Sequence, residues 1–476
     1  MNLLVLLFAL AALVWMIPLA RSGRLIRLAV VVLLTGTVVG PSFFAVQGPI
    51  QISIDRMLFF ATVGFAFIGL RIGTTELPKP HRVDWLMLAM LGWFCVSALL
   101  GGTNPPGTPP LARWLFYIAM PVGMYGLARV MTIRTDDIRW MFRCLIGLGI
   151  YLAVTAVLEI QGLHGLVFPR YIVNADDWEF FGRGRGPLMN PAGNGIVMAV
   201  SLTAVAVGFV TAGRGKRATL AAMAVCLLVG IYATLTRSVW LGGVAAIGMV
   251  GFIYSPRSLR VYCLLVAVLG GGLFSMGLKD QLVRMKRDKN LSAADAQKSV
   301  QLRPLLAIVA WEMFQDAPLA GHGFGHYVVK HHPYHDDRSY ELPLEVARPY
   351  VQHNVFLSVL VDTGLIGSML FASWFISLAG IAWRLARDEL AKPEVRNIGL
   401  VMLGTLLSYL CNGMFHDVLI IPMIQMYLFF LSGVTLTAAQ KGLAAAPAEN
   451  EGRPRRARDV ATLGVAPLGA AAPIER

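Results

Sequence analysis

Apolar segments of about seventeen residues or more recur along most of the chain, and they strongly limit what it can fold into. They lie near residues 3–20, 26–46, 57–71, 85–101, 111–130, 142–160, 193–212, 218–235, 238–254, 261–278, 355–382, 397–414 and 418–438. Segments of this length and apolarity cross membranes as helices. The pattern therefore predicts an all-α, polytopic membrane protein of about 12–13 transmembrane helices.

Composition and charge support the same class. Of the 476 residues, 56% are hydrophobic and only 14% are charged, whereas soluble proteins carry about a quarter charged residues. The net charge of +14 comes from short Lys and Arg clusters between apolar runs, as in membrane topology signals, so no nucleic-acid partner is expected. These clusters occupy alternate connections, which should face the cytoplasm. The connections between them, including residues 161–191 and 279–353, should be extracytoplasmic.

The chain divides into a polytopic membrane domain, residues 1–440, and a tail, residues 441–476. The tail is rich in Ala, Pro, Gly and Arg and has no apolar period, which predicts a disordered cytoplasmic segment. Within the membrane domain, a large extracytoplasmic loop, 279–353, precedes the third-last helix and should contain a membrane-lying helix near 304–316. Thirteen spans would place the N-terminus outside and twelve would place it inside, and the sequence leaves both open.

A histidine stands where one long apolar helix begins. His353 precedes the run VFLSVLVDTGLIGSML, so it should lie at the outer end of that helix. The positive end of the helix dipole disfavours the charged imidazolium, and a neutral imidazole can accept a proton near pH 7. Asn354, His416 and Asp417 are candidates to orient it, whereas Asp362 should point to the opposite helix face, about 14 Å away. A merely anchoring interfacial histidine is the alternative.

Arginines in three outward-facing segments could bind an anion. Arg237 lies in a very short connection between apolar helices, where a desolvated guanidinium needs a carboxylate or phosphate partner. Arg303 precedes Pro304, which suits the first position of a helix, and an arginine at a helix N-terminus makes a phosphate site. Arg183 and Arg185 alternate with glycines in GRGRGPLMNPAGN, which lets backbone amides approach a ligand. A snorkelling Arg237 and a flexible, solvated loop at 183–185 stay open as alternatives.

The second long loop is rich in histidines, at positions 322, 326, 331, 332 and 335. Gly and Pro interrupt this run and the helical spacing of metal ligands is absent, so a solvated surface is favoured over a metal site. No metal and no cofactor are expected. The chain shows no internal repeat, and Asp362 is the one acidic residue well inside a span, which argues against the midplane ion sites and paired broken helices of transporters.

Three pieces carry a resemblance to a known family. TRSVWLGG, RPLLAIVAWEMFQDAPLAGHGFG and HNVFLSVLVDTGLIG follow one another within residues 236–370. In this order they resemble the O-antigen ligase and O-antigen polymerase superfamily, bacterial membrane glycosyltransferases that use lipid-linked glycans. Outside these pieces the similarity is the span pattern alone. Neither long loop carries the R-x10-G pattern of some polymerases, so ligase and polymerase both stay open.

The resemblance implies an enzyme of the bacterial inner membrane with an extracytoplasmic active site. The donor would be a glycan on undecaprenyl pyrophosphate and the acceptor a glycan or lipid hydroxyl. Arg237 and Arg303 match the family's pyrophosphate-binding arginines, and His353 matches its general base. Transfer would be metal-independent and would invert the anomeric centre. The alternatives are a polysaccharide or lipid transporter, or a non-catalytic assembly factor, and both would tolerate loss of His353.

Overall fold

The computed structural model describes Val14 and residues 24–46, 51–103, 105, 107–261 and 293–443, with side chains omitted for 293–301. In this part of the chain the apolar runs form long helices. Their bounds are α1 Leu25–Val38, α2 Ile54–Arg71, α3 Arg82–Leu100, α4 Pro110–Val130, α5 Thr135–Ile160, α6 Pro191–Thr211, α7 Arg214–Ala233, α8 Arg237–Tyr254, α9 Ala293–Asp316, α10 Val355–Arg387, α11 Pro393–Gly413 and α12 Pro422–Lys441.

The remaining elements are short. Two-residue strands, β1 (Ala45–Val46) and β2 (Ile52–Ser53), pair antiparallel. Residues Leu115–Ala119 of α4 form a π-helical turn. A single α-helical turn and several 3₁₀ turns lie in the connections, at Tyr327–Lys330, His164–Leu166, Arg170–Val173, His332–Asp336, Leu344–Ala347 and Val418–Ile420.

The predicted all-α polytopic architecture is confirmed. Among the described residues, 8 helices are long and apolar enough to cross a membrane: α3 to α8, α10 and α12. Helices α2 and α11 coincide with predicted apolar runs as well. Helix α1 covers only the first part of the run predicted at 26–46, since it ends at Val38. The predicted runs at 3–20 and 261–278, apart from Val14 and Val261, and the tail from residue 444 lie outside the described residues.

Helices α6 and α12 form the centre of the bundle. In α12, 89% of the apolar window is buried, compared with 22% in α7, so α12 is an interior helix and α7 presents most of its surface outward. The interior helix packs closely on α4 because Gly433 has no side chain: a Cβ there would lie 2.6 Å from the Tyr125 carbonyl oxygen. Small residues commonly permit such close approach between membrane helices.

Helix α10 is not the uninterrupted span that the sequence predicts. Gly364, the tenth residue of the helix, has φ 64° and ψ −165°, and this backbone conformation breaks the helix. The connection after α9 caps the break, because His322 N–H donates to the Val361 carbonyl (2.8 Å) and Leu365 N–H donates to the Pro318 carbonyl (2.8 Å). Irregular backbone at membrane depth is tolerated where protein covers it. The segment APLAGHGFG therefore reaches down to the DTG segment of α10.

Helix α9 also differs from its predicted bounds. The sequence predicts a start at Pro304, but the helix runs from Ala293 to Asp316 and Pro304 lies inside it. Arg303 is therefore not at a helix N-terminus, and the helix-dipole argument for an anion site there is wrong. Proline removes one backbone hydrogen bond, and packing can offset that loss. In α9, Leu306, Val309 and Met313 pack in a small apolar cluster with the rest of the loop.

Candidate active site

His353 occupies a left-handed backbone conformation immediately before α10. Its φ is 48°, a region in which non-glycine residues are uncommon and histidine is enriched. The following residue, Asn354, is the N-cap of α10: its Oδ1 accepts from the amides of Phe356 (2.9 Å) and Leu357 (3.1 Å). Asn354 Nδ2 also donates to the Met414 carbonyl (3.1 Å). The backbone beside His353 is thus joined to the end of α11.

Arg303 lies within electrostatic range of both Arg237 and His353. Burial lowers the pKa of Arg303, and the nearby charge of Arg237 lowers it further. Burial also lowers the pKa of His353, with a second contribution from the charge of Arg303. The three side chains come from the starts of α8 and α10 and from α9. They are therefore electrostatic neighbours although they are far apart in sequence.

An aromatic residue that the sequence reasoning missed holds Arg303 in this group. The Arg303 guanidinium lies 5.1 Å from the centroid of the Phe415 ring, within the range of a cation–π contact. Phe415 follows Met414, the residue to which Asn354 donates. The residues Met414 and Phe415, directly after α11, thus contact both the start of α10 and Arg303. The sequence signal for this role was an aromatic residue inside the otherwise mostly polar sequence NGMFHD.

The electrostatics favour a neutral imidazole at His353. The side chain is half-buried, and both causes of its lowered pKa disfavour the imidazolium. Arginines keep their charge under such shifts because their ordinary pKa is above 12. The arrangement therefore combines an unprotonated base with two fixed cations, which suits proton abstraction next to a developing negative charge.

Two of the candidate orienting residues have other partners. Asp417 Oδ2 accepts from Ser358 Oγ (2.9 Å) and its Oδ1 accepts from the Leu419 amide (3.2 Å). Burial raises the pKa of Asp417 to about 6. Asn354 is occupied by its helix cap and by Met414. Asn354 therefore positions the backbone next to His353, whereas Asp417 links α10 to the loop after α11 through Ser358. His416 stays a prediction as an orienter.

Arg185 has a structural role instead of the predicted ligand role. Its side chain is 1% exposed, and its guanidinium donates only to backbone carbonyls. They are those of Ile172 (3.0 and 2.8 Å), Asn174 (2.9 Å), Glu179 (2.8 Å) and Asp177. Because all five guanidinium N–H groups are needed for these bonds, Arg185 folds the loop around itself and cannot also bind a diphosphate.

Arg183, two residues earlier, is half-buried. The amide of the next residue, Gly184, donates to the Ala233 carbonyl (3.0 Å) at the end of α7. A Cβ on Gly184 would approach that carbonyl oxygen to 3.0 Å, so glycine allows the contact. The loop of Arg183 is therefore packed on the end of α7, four residues before Arg237.

The loop histidines are mostly structural, not solvated as predicted. His331 Nδ1 and His335 Nε2 are 2.8 Å apart, and His335 Nδ1 is 2.8 Å from the Leu344 carbonyl oxygen. His326 Nε2 is 3.0 Å from the Ala98 carbonyl oxygen at the end of α3. His331, His335 and His326 are all buried. In the described part of the chain no group of three or more His, Cys, Asp or Glu is arranged to hold a metal ion.

Two cavities lie near this end of the bundle. The larger, about 530 Å³, is lined by Asp55, Arg56 and residues of α1 and α4. The smaller, about 250 Å³, is lined by residues that include Gln352, Asp362 and Asp417. Tyr117, in the π-helical turn of α4, lines both. The smaller cavity is the one adjacent to the His353 segment.

Comparison with known proteins identifies the segment that contains this group. A search of curated proteins finds no match. The family model described as O-Antigen ligase matches residues 222–372, a range that contains Arg237, Arg303 and His353. This match over residues 222–372 supports membership of the O-antigen ligase superfamily.

Proposed function

We propose that the protein transfers a glycan from undecaprenyl pyrophosphate to an acceptor hydroxyl on the extracytoplasmic face of the bacterial inner membrane. His353 is the general base. Arg237 and Arg303, with Arg183 beside them, bind the diphosphate of the donor. The observation that supports this proposal is the electrostatic proximity of Arg303 to both Arg237 and His353. All three residues lie in separate segments within the range that matches the ligase family.

The reaction is a single displacement at the anomeric carbon. The acceptor hydroxyl gives its proton to the neutral imidazole of His353 while its oxygen bonds to the anomeric carbon. The bond between that carbon and the diphosphate oxygen breaks, and undecaprenyl diphosphate leaves with both electrons of that bond. Attack opposite the leaving group inverts the configuration of the anomeric centre.

Two features of the arginine pair suit this leaving group. The diphosphate gains negative charge as the bond breaks, and guanidinium groups can form bidentate hydrogen bonds with phosphate oxygens. Two neighbouring cations also repel each other, and a bound dianion relieves that repulsion. Fixed cations at a developing charge typically contribute about 10²–10³-fold each, and a general base about 10²–10⁴-fold. The chemistry therefore needs no metal ion.

The test is replacement of His353 by Ala in full-length protein in lipid nanodiscs, with undecaprenyl diphosphate binding and glycan transfer measured separately. Transfer should fall by about 10²-fold or more while binding and thermal stability are kept. The exposed loop residue His332, changed to Ala, is the matched control. Near-normal transfer by His353→Ala would overturn the proposal and favour the transporter. If a chelator abolished transfer by the wild-type protein and a divalent ion restored it, the proposal that transfer is metal-independent would be overturned.

A further inference from the structure

The smaller cavity has the features of a ligand site, and it has no role in the displacement reaction as described above. It is about 250 Å³ in volume and lies between α4, α10, the loop after α9 and the loop after α11. Gln352 forms part of its wall and is bonded to His353, so their Cα atoms are about 3.8 Å apart. The cavity therefore reaches within one residue of the proposed base.

Three buried polar atoms belong to residues that line this cavity: Asp362 Oδ1, Tyr327 Oη and Gln352 Nε2. None of them has a hydrogen-bond partner in the part of the chain that the structure describes. Their residues are 6%, 4% and 4% exposed, respectively. Buried polar groups are nearly always paired, and an exception calls for an explanation. One acceptor and two donor-bearing groups around a single cavity indicate a ligand that both donates and accepts hydrogen bonds.

Neighbouring contacts hold two of these groups in place. The other oxygen of Asp362, Oδ2, accepts from the Gly325 amide (3.0 Å), and Gly325 has φ 82°, a conformation that favours glycine. The Tyr327 ring stacks on His331, with centroids 4.7 Å apart and planes 10° apart. His331 in turn is hydrogen-bonded to His335. The polar atoms are therefore preorganised, which reduces the entropy lost on binding.

Size and charge narrow the ligand class. Pockets for drug-sized ligands measure roughly 300–1,000 Å³, so this cavity suits about one sugar ring. Its wall carries the carboxyl groups of Asp362 and Asp417 and the guanidinium of Arg113. With two carboxyl groups against one guanidinium, the wall has no excess of positive charge that would favour a phosphate or an acidic sugar. Carboxylate, phenol and amide groups together match the hydroxyls of an uncharged sugar, each of which both donates and accepts.

We propose that the cavity binds an uncharged sugar residue of the acceptor and holds its reacting hydroxyl at His353. This inference rests on the proposed function. The acceptor is favoured over the donor sugar because the cavity and the diphosphate arginines are built from different elements. Arg237 and Arg303 belong to α8 and α9, whereas the cavity wall includes residues of α4 and of the loops after α9 and α11.

The test uses full-length protein in nanodiscs and a panel of uncharged methyl hexosides and deoxyhexosides, with methyl glucuronide as the anionic probe. Saturation-transfer NMR should detect binding of at least one uncharged glycoside and not of the glucuronide. Tyr327→Phe and Gln352→Met should each weaken that binding at least tenfold. Tyr334→Phe is the control, because Tyr334 lies in the same loop and its hydroxyl bonds Asp316. Absence of binding by every uncharged glycoside, or equal binding in all variants, would overturn the inference.

Two further measurements separate the alternatives. Tyr327→Phe should keep or raise the melting temperature, since it removes a buried hydroxyl that has no partner among the described residues. A clear fall in melting temperature would show that the hydroxyl is structural and would overturn the inference. Binding of undecaprenyl diphosphate should be unchanged in Tyr327→Phe, and its loss would assign the cavity to the donor and likewise overturn the inference. Normal transfer by His353→Ala would refute the proposed function and leave the sugar-binding results standing.

Discussion

The guanidinium of Arg303 lies over the ring of Phe415, 5.1 Å from its centroid. This contact joins α9, in the long loop, to the connection between α11 and α12. Asn354 donates to Met414 in the same connection, so one short segment holds both the arginine and the backbone beside His353. Residues that do not themselves react therefore help to position Arg303 and His353.

The first prediction concerns Phe415. Phe415→Leu keeps an apolar side chain but removes the cation–π contact, worth about 1–2 kcal/mol when partly desolvated. We expect the KM for the lipid-linked donor to rise about 5- to 30-fold, with little change in melting temperature. Phe43→Leu is the control, because Phe43 and Phe415 are both 37% exposed and Phe43 packs on Tyr171. An unchanged KM would mean that Phe415 does not position Arg303.

The second prediction concerns pH. His353 acts as a base only when neutral, and its pKa is lowered by burial and by Arg303, so it lies below the ordinary value of about 6.5. The acidic limb of kcat/KM should therefore fall below that pH, with activity flat around pH 7. Arg303→Gln removes one cause of the lowered pKa of His353, so the acidic limb should move to higher pH. The same variant should also be slower, because Arg303 is proposed to bind the diphosphate.

The control for this profile is Arg338→Gln. Arg338 is an exposed loop arginine paired with Glu345, and its loss should leave the acidic limb in place. If the limb does not move in Arg303→Gln, the titrating base is a group other than His353 or lies away from Arg303.

The third prediction separates the two loop arginines. Arg185→Met leaves several buried carbonyls unpaired, and each such group costs about 1–3 kcal/mol; the melting temperature should fall strongly. Arg183→Gln should instead raise the KM for the donor with a nearly unchanged melting temperature. A stable Arg185→Met protein with a raised donor KM would contradict the structural role of Arg185.

The fourth prediction concerns topology. In a variant without native cysteines, Ser339→Cys should be labelled by membrane-impermeant maleimide from the extracytoplasmic side, since Ser339 is exposed in the second long loop. Lys216 lies in the first turn of α7, and Lys216→Cys should be protected from the same reagent. The reverse pattern would place the proposed active site on the cytoplasmic face.

Much of the architecture is predictable because lipid imposes a simple rule on the sequence. A long apolar run must satisfy its backbone hydrogen bonds internally, so it forms a helix. The positions of the apolar runs therefore predict the bounds of α6, α8 and α12 to within a few residues. The sequence also predicts that Arg237 and His353 lie on the same face, since each stands at the start of an apolar helix and alternation brings both starts to one side.

The tertiary structure decided what depends on partners distant in sequence. Arg185 and Arg183 are alike in the sequence, and only the folded loop shows that Arg185 donates to carbonyls from Ile172 to Glu179. The break of α10 at Gly364 requires the loop after α9 to cap it, and the helix through Pro304 is supported by packing around Leu306. Local sequence predicts backbone preference and polarity, whereas hydrogen-bond partners across the fold are fixed by packing, which no local pattern encodes.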